Sequence, residues 1–342
     1  MSARRPAGVH EAKHVAAGLD LWYQVTCSDE AAASGQTWSK LEAFLAKDDA
    51  IHEGVAYVEP ALAVKVSQAV PWPSPRPTTP TYAPTTPAHT TPGPTTSRPT
   101  TLTGVPNDPL FSSQSHYSSI ALEAAWEITT GSPSAVVQVL DTGLDMAHED
   151  LQNNIWQNPG ETDCSNGLDD DDNGFVDDCH GYNHADNHAG DASSGNYLGD
   201  GSHGSHCAGT IAADSNNGVG VAGVAGGDGT PGSGASLMTS VGFGSTAYGG
   251  FAEALIYGAD NGARISSNSW GYTSPDVCEQ AVIDAIDYYN DEGGIVVFAA
   301  GNDDSEACYY PGCYDGVVGV AALEDSGVRA SFSNYGDWVD IS

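Results

Sequence analysis

The chain has 342 residues, with 45 acidic side chains against 10 lysines and arginines and a formal net charge of -35. Between residues 103 and 342 the basic residues are Arg264 and Arg329, so almost all of the imbalance lies there. Such a surface repels nucleic acids and anionic membranes and favours cations. We therefore expect neither nucleic acid nor membrane as a partner, and no apolar run of 20 residues predicts a membrane-spanning helix.

The N-terminal part divides by composition. Residues 1–18 are expected to be unstructured, and they lack the apolar run of a secretory signal, so either export is not signalled here or the natural start lies upstream. Residues 19–66 are predicted to form a small α+β unit. Its elements are strands at 19–25 and 55–58 and a helix at 38–46. Residues 67–103 are predicted to be a linker, because ten prolines and ten threonines between residues 71 and 100 leave little apolar surface to bury.

From residue 104 apolar runs alternate with helical periodicity. The predicted strands are 135–140, 236–241, 264–268, 295–299 and 317–321, and the predicted helices are 248–262 and 275–292. This order predicts an α/β fold with a mostly parallel sheet and helices on both faces. In such sheets functional side chains gather at the carboxyl ends of the strands.

The seven cysteines form no Cys-x-x-Cys pair, which argues against a zinc ribbon. Cys164 and Cys179 bracket an acidic loop, and Cys308 and Cys313 bracket a short one. These spacings indicate disulfides and an oxidising compartment, so we expect an extracellular or secretory-pathway protein. Cys207 lies among small residues and is predicted to be a buried thiol.

Two histidines stand in an unusual stretch, Gly201-Ser202-His203-Gly204-Ser205-His206-Cys207-Ala208-Gly209-Thr210. A histidine used as a general base needs room for substrate beside it, and small neighbours provide that room. The alternative interpretation is a metal-binding pair or a crowded helix cap.

Two further residues complete a candidate constellation. Asp141 follows an apolar strand, and Asn302 follows another strand through Ala300 and Gly301. A carboxylate can hold the tautomer of His203, the imidazole can take a proton from a nucleophile, and an amide can donate to an oxyanion. These are parts of a serine hydrolase.

At this point residues 104–342 resemble the subtilisin-like serine proteases, the subtilases. The resemblance is carried by Val139-Leu140-Asp141-Thr142-Gly143, by the stretch from His203 to Thr210 and by Ala299-Ala300-Gly301-Asn302. It implies an endopeptidase acting on proteins or peptides, in which His203 is the base, Asp141 orients it and Asn302 completes the oxyanion hole. Cys207, after the second histidine, is similar to the proteinase K-like branch.

The resemblance also implies a substrate-binding segment at 267–271. By this resemblance Ser269, Trp270 and Gly271 pair with the substrate backbone and wall the specificity pocket. A core aromatic is the alternative interpretation of Trp270.

Two structural calcium sites are expected. In the acidic loop, oxygen ligands alternate with Gly174 at the turn, as in the first half of a calcium loop. The ligands expected there are Asp169, Asp171, Asn173 and Asp177. His180 stands where a helix-loop-helix site has Glu, so that form is not expected, and a solvated acidic loop is the alternative.

The second site follows from the resemblance alone. It implies a calcium ion held by Asp150, by the side chain of Asn217 and by the carbonyls of Val219 and Val221.

The family's nucleophile stands in a Gly-Thr-Ser motif after the oxyanion asparagine, and the chain ends at Ser342 without one. No serine stands in a Gly-x-Ser-x-Gly setting either. We therefore expect a peptidase domain that is incomplete at its C-terminus, from a truncated chain without activity of its own.

The segment 55–60 resembles the end of the family's inhibitory prosegment. This resemblance implies that residues 19–66 act as an intramolecular inhibitor, and an unrelated small domain is the alternative. We expect a monomer. For the chain as a whole, the alternative function is a non-catalytic binding or scaffold protein with the same fold.

Overall fold

The computed structural model describes residues 13–15, 19–22, 105–189, 202–243 and 248–342. The chain divides into two compact units. One comprises residues 1–81, 172–174 and 279–281, and the other comprises residues 82–171, 175–278 and 282–342.

In the first unit, β1 (Lys13–Val15) and β2 (Leu19–Trp22) pair in antiparallel fashion, with Lys13 opposite Trp22. β2 lies inside the strand predicted at 19–25. β1 is a correction, because residues 1–18 were expected to be unstructured. The helix predicted at 38–46, the strand at 55–58 and the linker at 67–103 lie outside the described residues.

The second unit is built on a seven-stranded sheet. Its strands are β3 (Val136–Asp141), β4 (Gly181–Asn183), β5 (His188–Ala189), β6 (Ser236–Val241), β7 (Ile265–Asn268), β8 (Ile295–Ala299) and β9 (Val318–Val320). Their order is β5-β4-β6-β3-β7-β8-β9, and only the β4–β5 pair is antiparallel. Because Asp141 is opposite Val241, the first candidate site residue lies at the carboxyl edge of the sheet.

Five α-helices occur in the described residues. They are α1 (His116–Ser119), α2 (Leu122–Trp126), α3 (Ser202–Ala212), α4 (Phe251–Asp260) and α5 (Gln280–Asp291), with 3₁₀ turns at Phe111–Ser113 and Gln152–Asn154. Two of these helices begin later than predicted. Gly250 precedes α4 with φ +70°, and Asp276 has φ +59°, so neither residue continues a right-handed helix. None of the described helices has the length and apolarity needed to cross a bilayer.

The side chains of β3 alternate between two hydrophobic clusters, so the core lies on both faces of the sheet. Val137 and Val139 belong to a cluster that contains Ala208 and Ala212 of α3. Leu140 belongs to a second cluster with the helices α4 and α5. Successive side chains of a strand point to opposite faces, so the two clusters lie on the two sides of the sheet. The predicted α/β architecture is confirmed.

Four buried tyrosines predict how the fold responds to alkali. Burial raises the pKa of Tyr117 to about 12, against a hydrogen bond from Gln114 that lowers it. Burial also raises the pKa values of Tyr182, Tyr257 and Tyr289 above the usual range. The pKa of each of these phenols is higher in the folded than in the unfolded state. Their contribution to the free energy of unfolding is therefore complete below pH 10 and is lost as the pH rises towards 12 and beyond.

We expect some of the 15 tyrosines to ionise near their ordinary pKa and a second group to ionise only as near-ultraviolet circular dichroism is lost. Tyrosinate absorbance followed against pH makes the measurement. A single transition of all tyrosines near pH 10, with the circular dichroism unchanged, would contradict the burial described.

Candidate active site

Asp141 and His203 meet at the carboxyl edge of the sheet. The Asp141 side chain is 3% exposed and that of His203 is 55% exposed, and Nδ1 of His203 lies 2.6 Å from Oδ1 of Asp141. A carboxylate only accepts hydrogen bonds, so the imidazole donates from Nδ1 and Nε2 is left as the basic nitrogen. Oδ2 of Asp141 is buried and has no partner among the described residues. The imidazole is therefore the main partner of this buried carboxylate.

The Asp141-Thr142-Gly143 turn joins the strand to the helix that carries His203. The backbone N–H of Thr142 donates to Oδ1 of Asp141 at 2.7 Å. Oγ1 of Thr142 accepts from the N–H of Gly204 at 3.1 Å. Gly143 has φ +102°, which favours glycine at the turn. Each residue of the motif therefore has a separate structural role.

Gly204 lets α3 approach this turn at backbone distance. A Cβ added to Gly204 would lie 2.1 Å from the carbonyl oxygen of Gly143, far inside van der Waals contact. A second contact holds the same helix, because Oγ of Ser205 accepts from the N–H of Asp145 at 2.8 Å. The small residues noted in the sequence thus bring the backbones together as well as leaving room beside the imidazole.

Cys207 lies next to the Asp141–His203 pair. Its sulfur is 3.8 Å from Nδ1 of His203 and 3.5 Å from Oγ of Ser269. The prediction of a buried thiol is wrong, since Cys207 is only partly buried where α3 faces the site. Burial raises the pKa of the Cys207 thiol, and the charge of Asp141 raises it further, while the Ser269 hydrogen bond lowers it. The raised pKa keeps the thiol protonated, and a protonated thiol is a weaker nucleophile than a thiolate.

His206 is exposed on α3. Among the described residues, the potential metal ligands grouped with His203 are Asp141 and Cys207, and His206 is not one of them. The geometry therefore favours a base over a histidine metal pair.

Asn302 follows β8 on an exposed loop. Gly301 turns the chain with φ +105°, and the Asn302 side chain has no partner among the described residues. Asn334, which is fully buried, fixes this loop. Its Oδ1 accepts from the N–H groups of Asp303 and Ser305 at 2.8 and 3.2 Å, and its Nδ2 donates to Ala300 O at 2.9 Å. Sequence reasoning missed Asn334, because a lone loop asparagine gives no sign of distant backbone partners.

The segment predicted to bind substrate follows β7. Ser269 and Gly271 are exposed, whereas Trp270 is buried. The Trp270 ring stacks on Phe251 with ring centroids 4.2 Å apart, and its Nε1 donates to Oδ1 of Asn268 at 3.2 Å. Trp270 thus packs as a core aromatic, while its two neighbours remain accessible.

Both predicted disulfides are present, Cys164–Cys179 and Cys308–Cys313. Inside the first loop, Asp177 accepts from the N–H groups of Asn166 and Gly167 and so shapes the turn.

The described residues form a cluster of three acidic side chains at the acidic loop. Of the four ligands predicted there, only Asp171 belongs to this cluster. Its companions are Glu161 and Asp178, neither of which was predicted. Burial raises the pKa of Glu161 to about 7, opposed by the Asp170 hydrogen bond and reinforced by the nearby carboxylates.

The residues of the second predicted calcium site do come together. Asp150 is 2% exposed, and its oxygens accept from Nδ2 of Asn217 at 2.8 Å and from the N–H of Val221 at 2.9 Å. Oδ1 of Asn217 accepts from the N–H of Val219 at 2.7 Å. Burial raises the pKa of Asp150, and the charge of Asp108 adds to the effect. In this arrangement the contacts to the Asp150 carboxylate come from N–H donors, and Oδ1 of Asn217, which was predicted as a ligand, is engaged by the N–H of Val219.

Comparison with known proteins identifies the family. Residues 132–342 match the model described as "Subtilase family". The chain belongs to the subtilase family. The motifs at Asp141, His203 and Asn302 all lie inside the matched region.

Among relatives of this subtilase, the "Thermophilic serine proteinase" of Bacillus sp. (strain AK1) is 31% identical over 64% of this chain and 45% of its own length. "Thermitase" of Thermoactinomyces vulgaris is 32% identical over 69% of this chain and 72% of its own. This subtilase therefore spans less than half of one relative and more than two thirds of the other.

A solved structure of a protease from Pseudoalteromonas arctica PAMC 21717 has 32% sequence identity to this subtilase and a TM-score of 0.51. The match covers 69% of this chain and 71% of that one. This structural similarity agrees with the sheet and helices described above.

Two glycines of α3 test how the site is positioned. We expect Gly204→Ala to destabilise the fold by about 1–3 kcal/mol, because the new methyl group overlaps the Gly143 carbonyl. Gly209→Ala is the matched control, since a Cβ there meets nothing within 4 Å, and it is expected to stabilise the helix by about 0.5–1 kcal/mol. Urea unfolding of both variants makes the measurement. Equal stability of the two variants would contradict the close approach.

Proposed function

We propose that the chain carries the base, the orienting carboxylate and the oxyanion donor of a serine endopeptidase. The hydrogen bond between His203 Nδ1 and Asp141 Oδ1 at 2.6 Å carries this proposal. It leaves Nε2 of His203 on a side chain that is more than half exposed, where the hydroxyl of a catalytic serine can reach it.

In the proposed mechanism, Nε2 of His203 accepts the proton of a serine hydroxyl as the serine oxygen bonds to the peptide carbonyl carbon. Asp141 stabilises the imidazolium that forms. Nδ2 of Asn302 donates to the oxyanion of the tetrahedral intermediate. The imidazolium then returns its proton to the leaving amine as the carbon–nitrogen bond breaks, and water releases the acyl group by the same steps in reverse.

We infer that none of the serines in the 342 residues is the nucleophile of this triad. No Gly-Thr-Ser sequence occurs in them, and Nε2 of His203 has no hydroxyl partner within the described part of the chain. Loss of a triad member typically lowers the rate by several orders of magnitude. We therefore expect the 342-residue chain to have no peptidase activity by itself.

Substrate binding is proposed at the segment after β7. Exposed Ser269 and Gly271 would pair with an extended substrate, while Trp270 would support the wall of the pocket from the core side. The substrates are proteins or peptides.

Calcium is proposed as a structural ion. Asp150, the side chain of Asn217 and the carbonyls of Val219 and Val221 would hold it, and it would offset the buried carboxylates there.

An extracellular location is proposed on the two disulfides, since such bonds persist in oxidising compartments. Residues 19–66 are proposed as an inhibitory prosegment on the sequence resemblance alone. The alternative, a non-catalytic scaffold, gives no chemical reason to retain Asp141, His203 and Asn302 together.

A fluorophosphonate probe, which labels activated serines covalently, tests the proposal. We expect no labelling of the 342-residue chain. The product of the longest reading frame that contains these codons should be labelled, and His203→Ala should slow its labelling by about 10³-fold or more. His206→Ala is the matched control and should be labelled at the parent rate, because this exposed histidine is not part of the triad.

Labelling of the 342-residue chain would contradict the absence of the nucleophile. Equal labelling of the parent and His203→Ala would contradict the role of the base. A longest product that takes no label would favour the scaffold.

A further inference from the structure

We propose that Glu161, Asp171 and Asp178 hold a divalent cation, and that this ion is calcium. One carboxylate oxygen from each residue lies within 4.8 Å of those from the other two. Calcium takes oxygen ligands at about 2.3–2.6 Å, so ligands on opposite sides of the ion lie about 5 Å apart. The three oxygens are close enough to share one such ion. The site is separate from the one around Asp150 and shares only Asp171 with the ligand set predicted from sequence.

The unpartnered oxygen of Glu161 points to a missing ligand. Glu161 is 8% exposed, and its Oε1 accepts from the N–H of Asp170 at 3.2 Å. Its Oε2 is buried and has no partner among the described residues. Burying a carboxylate oxygen without a partner is costly, and two more carboxylates beside it add repulsion. A cation removes both penalties.

Among the described residues of the second unit, no lysine or arginine fills this role. In residues 103–342 the only such side chains are Arg264 and Arg329. Arg264 donates to the carbonyl oxygen of Glu292, and Arg329 pairs with Asp304. Both guanidinium groups are therefore engaged with residues outside the cluster. A cation from solution would supply the compensating charge.

Neutral donors already hold the carboxylates in place. Nδ2 of Asn158 donates to Oδ2 of Asp171 at 3.1 Å and to Oδ1 of Asp178 at 2.9 Å. The hydroxyl of Tyr257 donates to Oδ2 of Asp178 at 2.7 Å. A Cβ on Gly160 would lie 2.3 Å from Oδ2 of Asp171, so that carboxylate packs directly against backbone. The ligands are thus positioned before any ion arrives.

The donor chemistry selects the kind of ion. All three candidate ligands are hard carboxylate oxygens, which suit calcium, whereas zinc and copper sites draw on histidine and cysteine. Cys179 follows Asp178 directly, but it is bonded to Cys164 and is not available as a ligand. Through Tyr257 the ion would tie the acidic loop to α4, so its effect would be on the stability of the fold. This role is independent of peptidase activity.

The test is calcium binding by the full 342-residue chain after removal of metal with a chelator. Isothermal titration is expected to give one bound ion fewer for Glu161→Gln than for the parent. Asp163→Asn, an exposed acid of the same loop, is the matched control and should bind as many ions as the parent.

Thermal unfolding gives a second readout, in which the variant is compared with the parent first in chelator and then in excess calcium. In chelator, Glu161→Gln should unfold at the parent temperature or above it, because a repelling charge has been removed. In excess calcium, the parent should gain more than the variant in unfolding temperature.

Asp171→Asn repeats the test at a partly exposed position, and it decides the result if Glu161→Gln fails to fold. Parent-like stoichiometry in the folded variants, or an equal calcium-induced shift in the parent and the variants, would overturn the proposal.

Discussion

The contact between the backbones of Gly204 and Gly143 is the constraint on which the site depends. It allows α3 to begin directly above the carboxyl end of β3, with Thr142 accepting from the first turn of the helix. Asp141 is buried at the end of the strand, and the geometry leaves its charge facing one imidazole. A methyl group on Gly204 would displace the helix and carry His203 away from this carboxylate. The Asp141–His203 hydrogen bond therefore depends on the close approach of the Gly204 and Gly143 backbones.

A second constraint is the shortage of positive charge. In residues 103–342 the lysine and arginine side chains are Arg264 and Arg329 alone, so the buried carboxylates described above rely on neutral donors. Around Asp150 the donors are an asparagine and a backbone N–H, and at Glu161 one oxygen remains without any.

Local patterns in the sequence predicted five of the seven strands of the sheet and the Asp141–His203 pair, whereas the short strands β4 and β5 were not predicted. Apolar runs mark buried strands, and parallel order brings the carboxyl ends together. What the sequence did not reveal depends on distant contacts. Asn334 fixes a loop about 30 residues before it in the chain, and Glu161 joins Asp178 only when the acidic loop folds back. The late start of α5 reflects the left-handed Asp276, which helical periodicity does not report.

The protonation of His203 tests the central claim most directly. Nitrogen–proton correlation spectra of the imidazole, assigned by the loss of the signal in His203→Ala, show which ring nitrogen carries the proton. The account predicts a proton on Nδ1 with a strongly downfield shift, held by the carboxylate of Asp141 and lost or weakened in Asp141→Asn. A proton on Nε2 of the neutral ring, unaffected by that substitution, would contradict it.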